Sequence, residues 1–218
     1  HLRTRRQRQM CIRDSLSMDR ITVLLGILVI ITLVTSNLLA TIQNNVKRML
    51  AYSSISHAGF LLLGLLAGFV NGQYQAENSS VVAFYLLAYF AMTLGAFAIL
   101  SLLVKQNSDS CDFSDLSGLG RKHPVLAGLF TLFMLSMVGM PGTVGFTAKF
   151  NVIYLAVLNG HLTLAITAIV ISIISIYYYL RPSVLMFFNT NEEPMHVPEL
   201  PVAMNVSLAI CAFLVLYL

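Results

Sequence analysis

One stretch places a single ammonium group deep in apolar surroundings. Residues 137–150 read Met-Val-Gly-Met-Pro-Gly-Thr-Val-Gly-Phe-Thr-Ala-Lys-Phe, inside a run from Pro124 to Leu158 whose only charge is Lys149. Pro141 has no backbone N–H and crowds the preceding turn, and Gly142 and Gly145 add backbone freedom beside it. A helix entering here is expected to break near Pro141-Gly142, about two helical turns before Lys149. Broken helices at bilayer depth persist only where protein or a water-filled cavity surrounds them. An ionisable group at that depth is costly and marks an ion or proton path by default. A lysine in a mostly apolar cavity, tuned by nearby charge or water, can take up and release a proton. The competing reading is a lysine that snorkels its stem to the surface. About 16 Å of helix separates Lys149 from the nearer outer end at Gly160, beyond comfortable reach.

A second cluster follows in Tyr52, Ser53, Ser54, Ser56 and His57. A histidine among hydroxyls can pass protons. The same groups can simply hydrogen-bond between helices, as Ser, Thr and His do in membranes, and that structural role is the favoured reading. Lys47 stands ten residues before His57. With His57 it is a candidate member of a proton path, although Lys47 and Arg48 are most simply topology anchors. Gly95 and Ala96 are expected to permit close helix packing.

The elements that must hold these groups are membrane helices. The chain is 57% hydrophobic and 10% charged, with a mean hydropathy of +0.80. A soluble domain carries roughly 25% charged residues. Apolar runs at 21–40, 49–70, 81–104, 124–158, 162–180 and 201–218 reach or approach the roughly 20 residues that cross a bilayer core. The fold expected is an all-α, polytopic helical bundle of about six spans, with 124–158 one discontinuous crossing broken at 141–142. The connectors 41–48, 105–123 and 181–198 then share one side. They hold every Lys and Arg after Arg20 except Lys149, whereas 71–80 and 159–161 hold none. That is the positive-inside pattern, and it makes the three basic connectors cytoplasmic. Splitting 124–158 into two crossings would weaken it. Tyr177-Tyr178-Tyr179 beside Arg181 is expected at the membrane interface, and Asp112–Leu116 as a short surface helix.

The pI of about 9.1 misleads about partners. Residues 1–15 hold five of the thirteen basic residues and one of the nine acids, leaving eight of each elsewhere. Nucleic-acid binding is not indicated. With Gln9-Met10-Cys11-Ile12-Arg13-Asp14-Ser15, this tail resembles translated sequencing-adaptor read-through and is expected to be non-native, residues 16–218 being the membrane domain. The alternative is a short basic juxtamembrane arm. The last run stops without a flanking charge, which reads as truncation. Cys11, Cys111 and Cys211 form neither a CxxC pair nor a Cys/His cluster. Gly118-Leu119-Gly120 lacks a third glycine and a preceding strand, so no dinucleotide fingerprint is present. No phosphate-binding loop, nucleophilic triad, metal ligand set or redox-cofactor site is expected on the chain.

Three ordered motifs carry a family resemblance. Asn45-Val-Lys-Arg-Met-Leu-Ala-Tyr-Ser-Ser-Ile-Ser-His-Ala-Gly-Phe60 resembles a segment of the antiporter-like membrane subunits of respiratory complex I. Gly139–Phe150 resembles that family's interrupted late helix, and Ser175–Arg181 the helix after it. Their spacing points to the subunit N group, over about residues 19–218. The resemblance implies a fourteen-helix proton-translocating subunit of NADH:quinone oxidoreductase, of which this chain carries the last six helices, in a bacterial inner membrane. Lys149 matches the family's broken-helix lysine, which serves the proton exit half-channel or its connection. The implied partners are the other complex I membrane subunits and the bilayer. NADH, FMN, iron–sulfur clusters and quinone are implied on partner subunits, and none on this chain. Met140 and Gly142 depart slightly from the family pattern, and both keep a break plausible. A cation/proton antiporter subunit of the same fold, or a non-pumping membrane scaffold, are the alternatives.

Overall fold

The computed structural model describes residues 2–70, 73–103, 111–189 and 201–218, with side chains from Arg20 onward except at 70, 73, 74 and 77. The questions of whether residues 1–15 are native and where Lys105, Glu192 and Glu193 lie fall outside the described side chains. In chain order the helices are α1 (Leu2–Thr41), α2 (Val46–Ala67), α3 (Ser79–Leu103), α4 (Leu119–Lys122), α5 (Pro124–Val138), α6 (Val144–Leu158), α7 (Leu162–Phe188) and α8 (Val202–Tyr217). A two-residue antiparallel ribbon, Phe69–Val70 with Gln73–Tyr74, follows α2. Among the described residues, four segments are long and apolar enough to cross a membrane alone: Arg20–Thr41, Val46–Ala67, Ser79–Leu103 and Leu162–Phe188.

The run 124–158 crosses once, as two half-helices, and the ends of its neighbours establish this. Arg181 of α7 donates to the carbonyl of Gln43 and to Asn44, and its guanidinium lies 4.2 Å from the Phe113 ring. Val46 N–H donates to Cys111 O and Gly118 N–H to Leu185 O. These contacts gather the start of α2, the segment leading into α5 and the end of α7 at one end of the bundle. At the other end Asn159, which caps α6, donates to Ala67 O at the end of α2. The chain therefore enters α5 at the basic end and leaves α6 at the opposite one. Among the described residues, every Lys and Arg after Arg20 except Lys149 sits at that basic end.

The bundle is apolar outside and carries its polar groups within, as lipid requires. Leu24, Val125 and Ile173 are among the exposed large side chains, whereas Asn37, Ser53, Ser56, His57, Ser136, Lys149 and Ser175 are buried. Helices approach closely at glycines. A Cβ on Gly59 would lie 2.9 Å from Leu33, and one on Gly95 2.3 Å from the buried Phe133 ring. The latter is the close packing expected at Gly95-Ala96.

Three expectations need correction. The second span begins at Val46, not 49, because the Asn45 side chain accepts from Lys47 N–H and Arg48 N–H and starts the helix there. Lys47 and Arg48 thus occupy the first turn of α2. The fifth span does not end at 180, since α7 continues through Pro182 to Phe188. Tyr178 and Tyr179 are not interfacial but 1% exposed and hydrogen-bonded inside, and only Tyr177 faces outward. The short helix expected at Asp112–Leu116 is present as a 3-10 helix over Phe113–Leu116, with Asp112 and Ser114 exposed and Phe113 and Leu116 turned inward.

Candidate functional site

The break that holds Lys149 is assembled from both sides of Pro141. Gly139 has φ 93° and caps α5, its N–H donating to Leu135 O and Ser136 O while Met140 N–H donates to Leu135 O. This left-handed closure satisfies carbonyls that a helix end leaves without partners. Gly142, φ 92°, makes a second left-handed turn, and Thr143 starts α6 in an extended conformation. The break therefore spans 139–143, slightly wider than 141–142. Gly145 contributes differently from the expected backbone freedom. It lies inside α6, where a Cβ would sit 1.8 Å from Ser136 O, and its N–H donates to Ser136 Oγ at 3.2 Å. Its bare Cα lets the start of α6 press against the end of α5.

That contact places Lys149 back over the break. The lysine is 7% exposed, and its Nζ donates to Val138 O at 3.0 Å. Nζ also lies 5.2 Å from the centre of the Phe60 ring. The side chain does not snorkel to the outer end. Val138 O belongs to the last carbonyls of α5, the negative end of its helix dipole, where an ammonium is favoured.

His57, 2% exposed, faces the same pocket from α2. Its Nδ1 is 2.8 Å from the Tyr85 hydroxyl and its Nε2 3.2 Å from that of Tyr179. The Tyr179 hydroxyl also hydrogen-bonds Ser53. A parallel branch runs from the Tyr178 hydroxyl, which donates to Asn37 at 2.9 Å, to Ser56, which accepts from Asn37 at 2.7 Å. The pocket is a tight cleft lined chiefly by Asn37, Ser56, His57, Phe60, Lys149 and Ser175. Ser172 also borders it with a buried hydroxyl that has no hydrogen-bond partner among the described residues. Such an arrangement can hold, orient and pass protons. Lys47 lies apart, in the first turn of α2, about 15 Å of helix from His57. Among the described residues, no three His, Cys, Asp or Glu side chains are grouped to hold a metal ion.

A model of the family described as NADH:quinone oxidoreductase/Mrp antiporter, transmembrane, matches residues 8–175. The chain belongs to that family. It is 40% identical over 183 residues to NADH-quinone oxidoreductase subunit N of Halorhodospira halophila, covering 84% of this chain and 37% of that relative. Its structure resembles a chain of respiratory complex I from Thermus thermophilus, with a TM-score of 0.76 and 34% identity, covering 88% of this chain and 42% of that one. It also shares its fold with a chain of the Mrp complex from Dietzia sp. DQ12-45-1b, at a TM-score of 0.71 and 24% identity, over 86% of this chain and 34% of that one. The chain thus spans well under half the length of each.

In this member of the NADH:quinone oxidoreductase/Mrp antiporter family, Lys149 and His57 border one pocket and Lys47 does not. Sequence reasoning missed Asn37, Tyr85, Tyr178 and Tyr179 as members of the buried cluster. Asn37 carried a usable signal, an amide within an apolar span that must find a partner. The tyrosines carried none, because adjacent positions 177–179 differ only in which way they face.

Proposed function

We propose that the chain is part of the proton-translocating subunit N of an NADH:quinone oxidoreductase in a bacterial inner membrane. Quinone reduction elsewhere in the complex supplies the energy, and protons move here through Lys149. NADH, FMN, iron–sulfur clusters and quinone belong to other subunits, and the neighbouring membrane subunits are its partners. The observation that carries this reading is the position of Lys149, buried at a helix break with its ammonium on a helix C-terminal carbonyl and facing a pocket shared with His57. When protonated, the lysine is held by Val138 O. When neutral, its amine can accept a proton from the pocket side. The 40% identity to subunit N favours this reading over a cation/proton antiporter subunit, whose supporting likeness is one of fold. A survey of neighbouring genes separates the two, because redox-subunit genes alongside exclude the antiporter complex.

The direct test replaces Lys149 with alanine in the complete subunit, within the assembled complex in membrane vesicles. Pumped protons per NADH oxidised are expected to fall about tenfold or more. Unchanged pumping overturns the reading and leaves a membrane scaffold.

A further inference from the structure

His57 is bridged on both sides by phenols from two other helices. Tyr85 of α3 meets Nδ1 and Tyr179 of α7 meets Nε2, with Ser53 beyond Tyr179. All four side chains are buried. A neutral imidazole has one N–H and one lone pair, so one phenol must donate to it and the other accept. The Tyr85 hydroxyl meets one hydrogen-bonding partner among the described residues, Nδ1 of His57. A buried O–H without an acceptor is costly, so Tyr85 donates to Nδ1. Nε2–H then donates to Tyr179, and Tyr179 to Ser53. The Tyr89 ring, 4.8 Å from the imidazole at 32°, fixes the plane of the ring.

We propose that Tyr85 and Tyr179 carry the proton on either side of His57, making Tyr85–His57–Tyr179–Ser53 one proton wire through α3, α2 and α7. This rests on the proton-translocation reading above. In one passage the Tyr85 oxygen takes an incoming proton and gives its own to Nδ1. Nε2 gives its proton to the Tyr179 oxygen, Tyr179 gives its own to Ser53, and Ser53 releases one. Each group gains and loses one proton, so a single charge crosses and no group is left ionised. Afterwards the imidazole is the other tautomer and every hydroxyl points back, so a second passage in the same direction waits until they turn. Tyr85 stands about 9 Å along α3 from its Ser79 end, and Ser53 about 11 Å along α2 from its Val46 end. These helix ends lie at opposite faces, so the wire leads from one half of the bundle into the other. The Tyr178 and Tyr179 rings lie 4.5 Å apart, so the Tyr178–Asn37–Ser56 branch runs directly beside the wire.

The test uses the complete subunit in the assembled complex, in vesicles that report pumped protons per NADH oxidised. Tyr85→Phe and Tyr179→Phe keep ring shape and remove one hydroxyl each. Each single variant is expected to lower pumping about tenfold or more, and the double variant no further than either single, because members of one wire fail as a unit. Losses that multiply in the double variant, or wild-type pumping in either single, overturn the wire. Should a Phe variant fail to assemble, difluorotyrosine at the same position retains shape and hydroxyl while changing its acidity. The pumping rate then changes, and an unchanged rate overturns the proposal. Lys149→Ala runs in parallel. If it abolishes pumping while the Phe variants pump normally, only the wire fails. If it also pumps normally, the proposed function fails.

Discussion

Gly145→Ala tests the architecture of the break. The added methyl would start 1.8 Å from Ser136 O and 2.7 Å from its carbonyl carbon, with Met92 Sδ at 3.0 Å. The nearest atoms are backbone at the end of a helix, so relief requires α6 to move away from α5 by about 1.5 Å, to reach ordinary van der Waals separation. That movement stretches the bond from Gly145 N–H to Ser136 Oγ and the bond from Lys149 Nζ to Val138 O. Overpacking costs about 1–3 kcal/mol, and each lost hydrogen bond costs about 1 kcal/mol. A destabilisation of about 3–5 kcal/mol follows, or about 6–20 °C at the roughly 2–4 °C per kcal/mol typical of domains this size. The assay is the half-aggregation temperature of the complete subunit in mild detergent, beside pumping in vesicles. Gly128→Ala is the matched control, since a Cβ there meets nothing within 4 Å. It sits within α5 and is expected to be neutral or to stabilise by up to about 1 kcal/mol. A Gly145→Ala protein as stable as wild type, with normal pumping, would refute the inference that α5 and α6 touch through that bare Cα.

Three further outcomes follow from the basic end and the connectors. Arg181→Ala removes the bonds to Gln43 and Asn44 and the contact with Phe113, and is expected to lower the same aggregation temperature by about 1–2 kcal/mol equivalent. Arg181→Lys recovers part of that loss, lacking the planar fork. For orientation, Ser114→Cys should react with an impermeant maleimide from the cytoplasmic side and Gln75→Cys from the other, and labelling of both from one side would refute the six-span topology. Burial lowers the His161 imidazole below its usual 6.5, so folding favours its neutral form. The stability it contributes is present above about pH 6.5 and is lost as pH falls through the depressed value. Amide exchange around 159–162 should therefore quicken in acid, and His161→Gln should flatten that dependence.

The features legible in the sequence were those with a purely local cause. Pro141 and Gly142 announce a break wherever they stand in a helix, and Lys149 is conspicuous because nothing near it in the chain is charged. Charge in the connectors also gave one crossing rather than two, a conclusion that the contacts of Arg181 and Asn159 reach independently. What stayed hidden depends on facing. Gly145 reads as flexible beside a proline, yet its value lies in Ser136, nine residues back and across the break. Tyr178 and Tyr179 read as an interfacial girdle because a tyrosine near an arginine usually is one. Tyr178 and Tyr179 lie on the face of α7 that packs into the bundle, where His57, Ser53 and Asn37 give the phenols partners. Tyr85 is twenty-eight residues from His57, and only the packing of α3 on α2 brings them together.

The divided crossing also bears on how the protein is made. Each half has fifteen residues and rises about 22 Å, short of the roughly 30 Å of hydrocarbon to be crossed. Neither half can be handed to lipid alone, so the insertion machinery must release 124–158 as one unit. That unit contains both Lys149 and the carbonyl of Val138 that receives it, so the most awkward group in the segment leaves the ribosome with its partner already synthesised. The crossing can therefore be accepted by the membrane before α7 exists, and the later helix completes the pocket around a charge that is already sheltered.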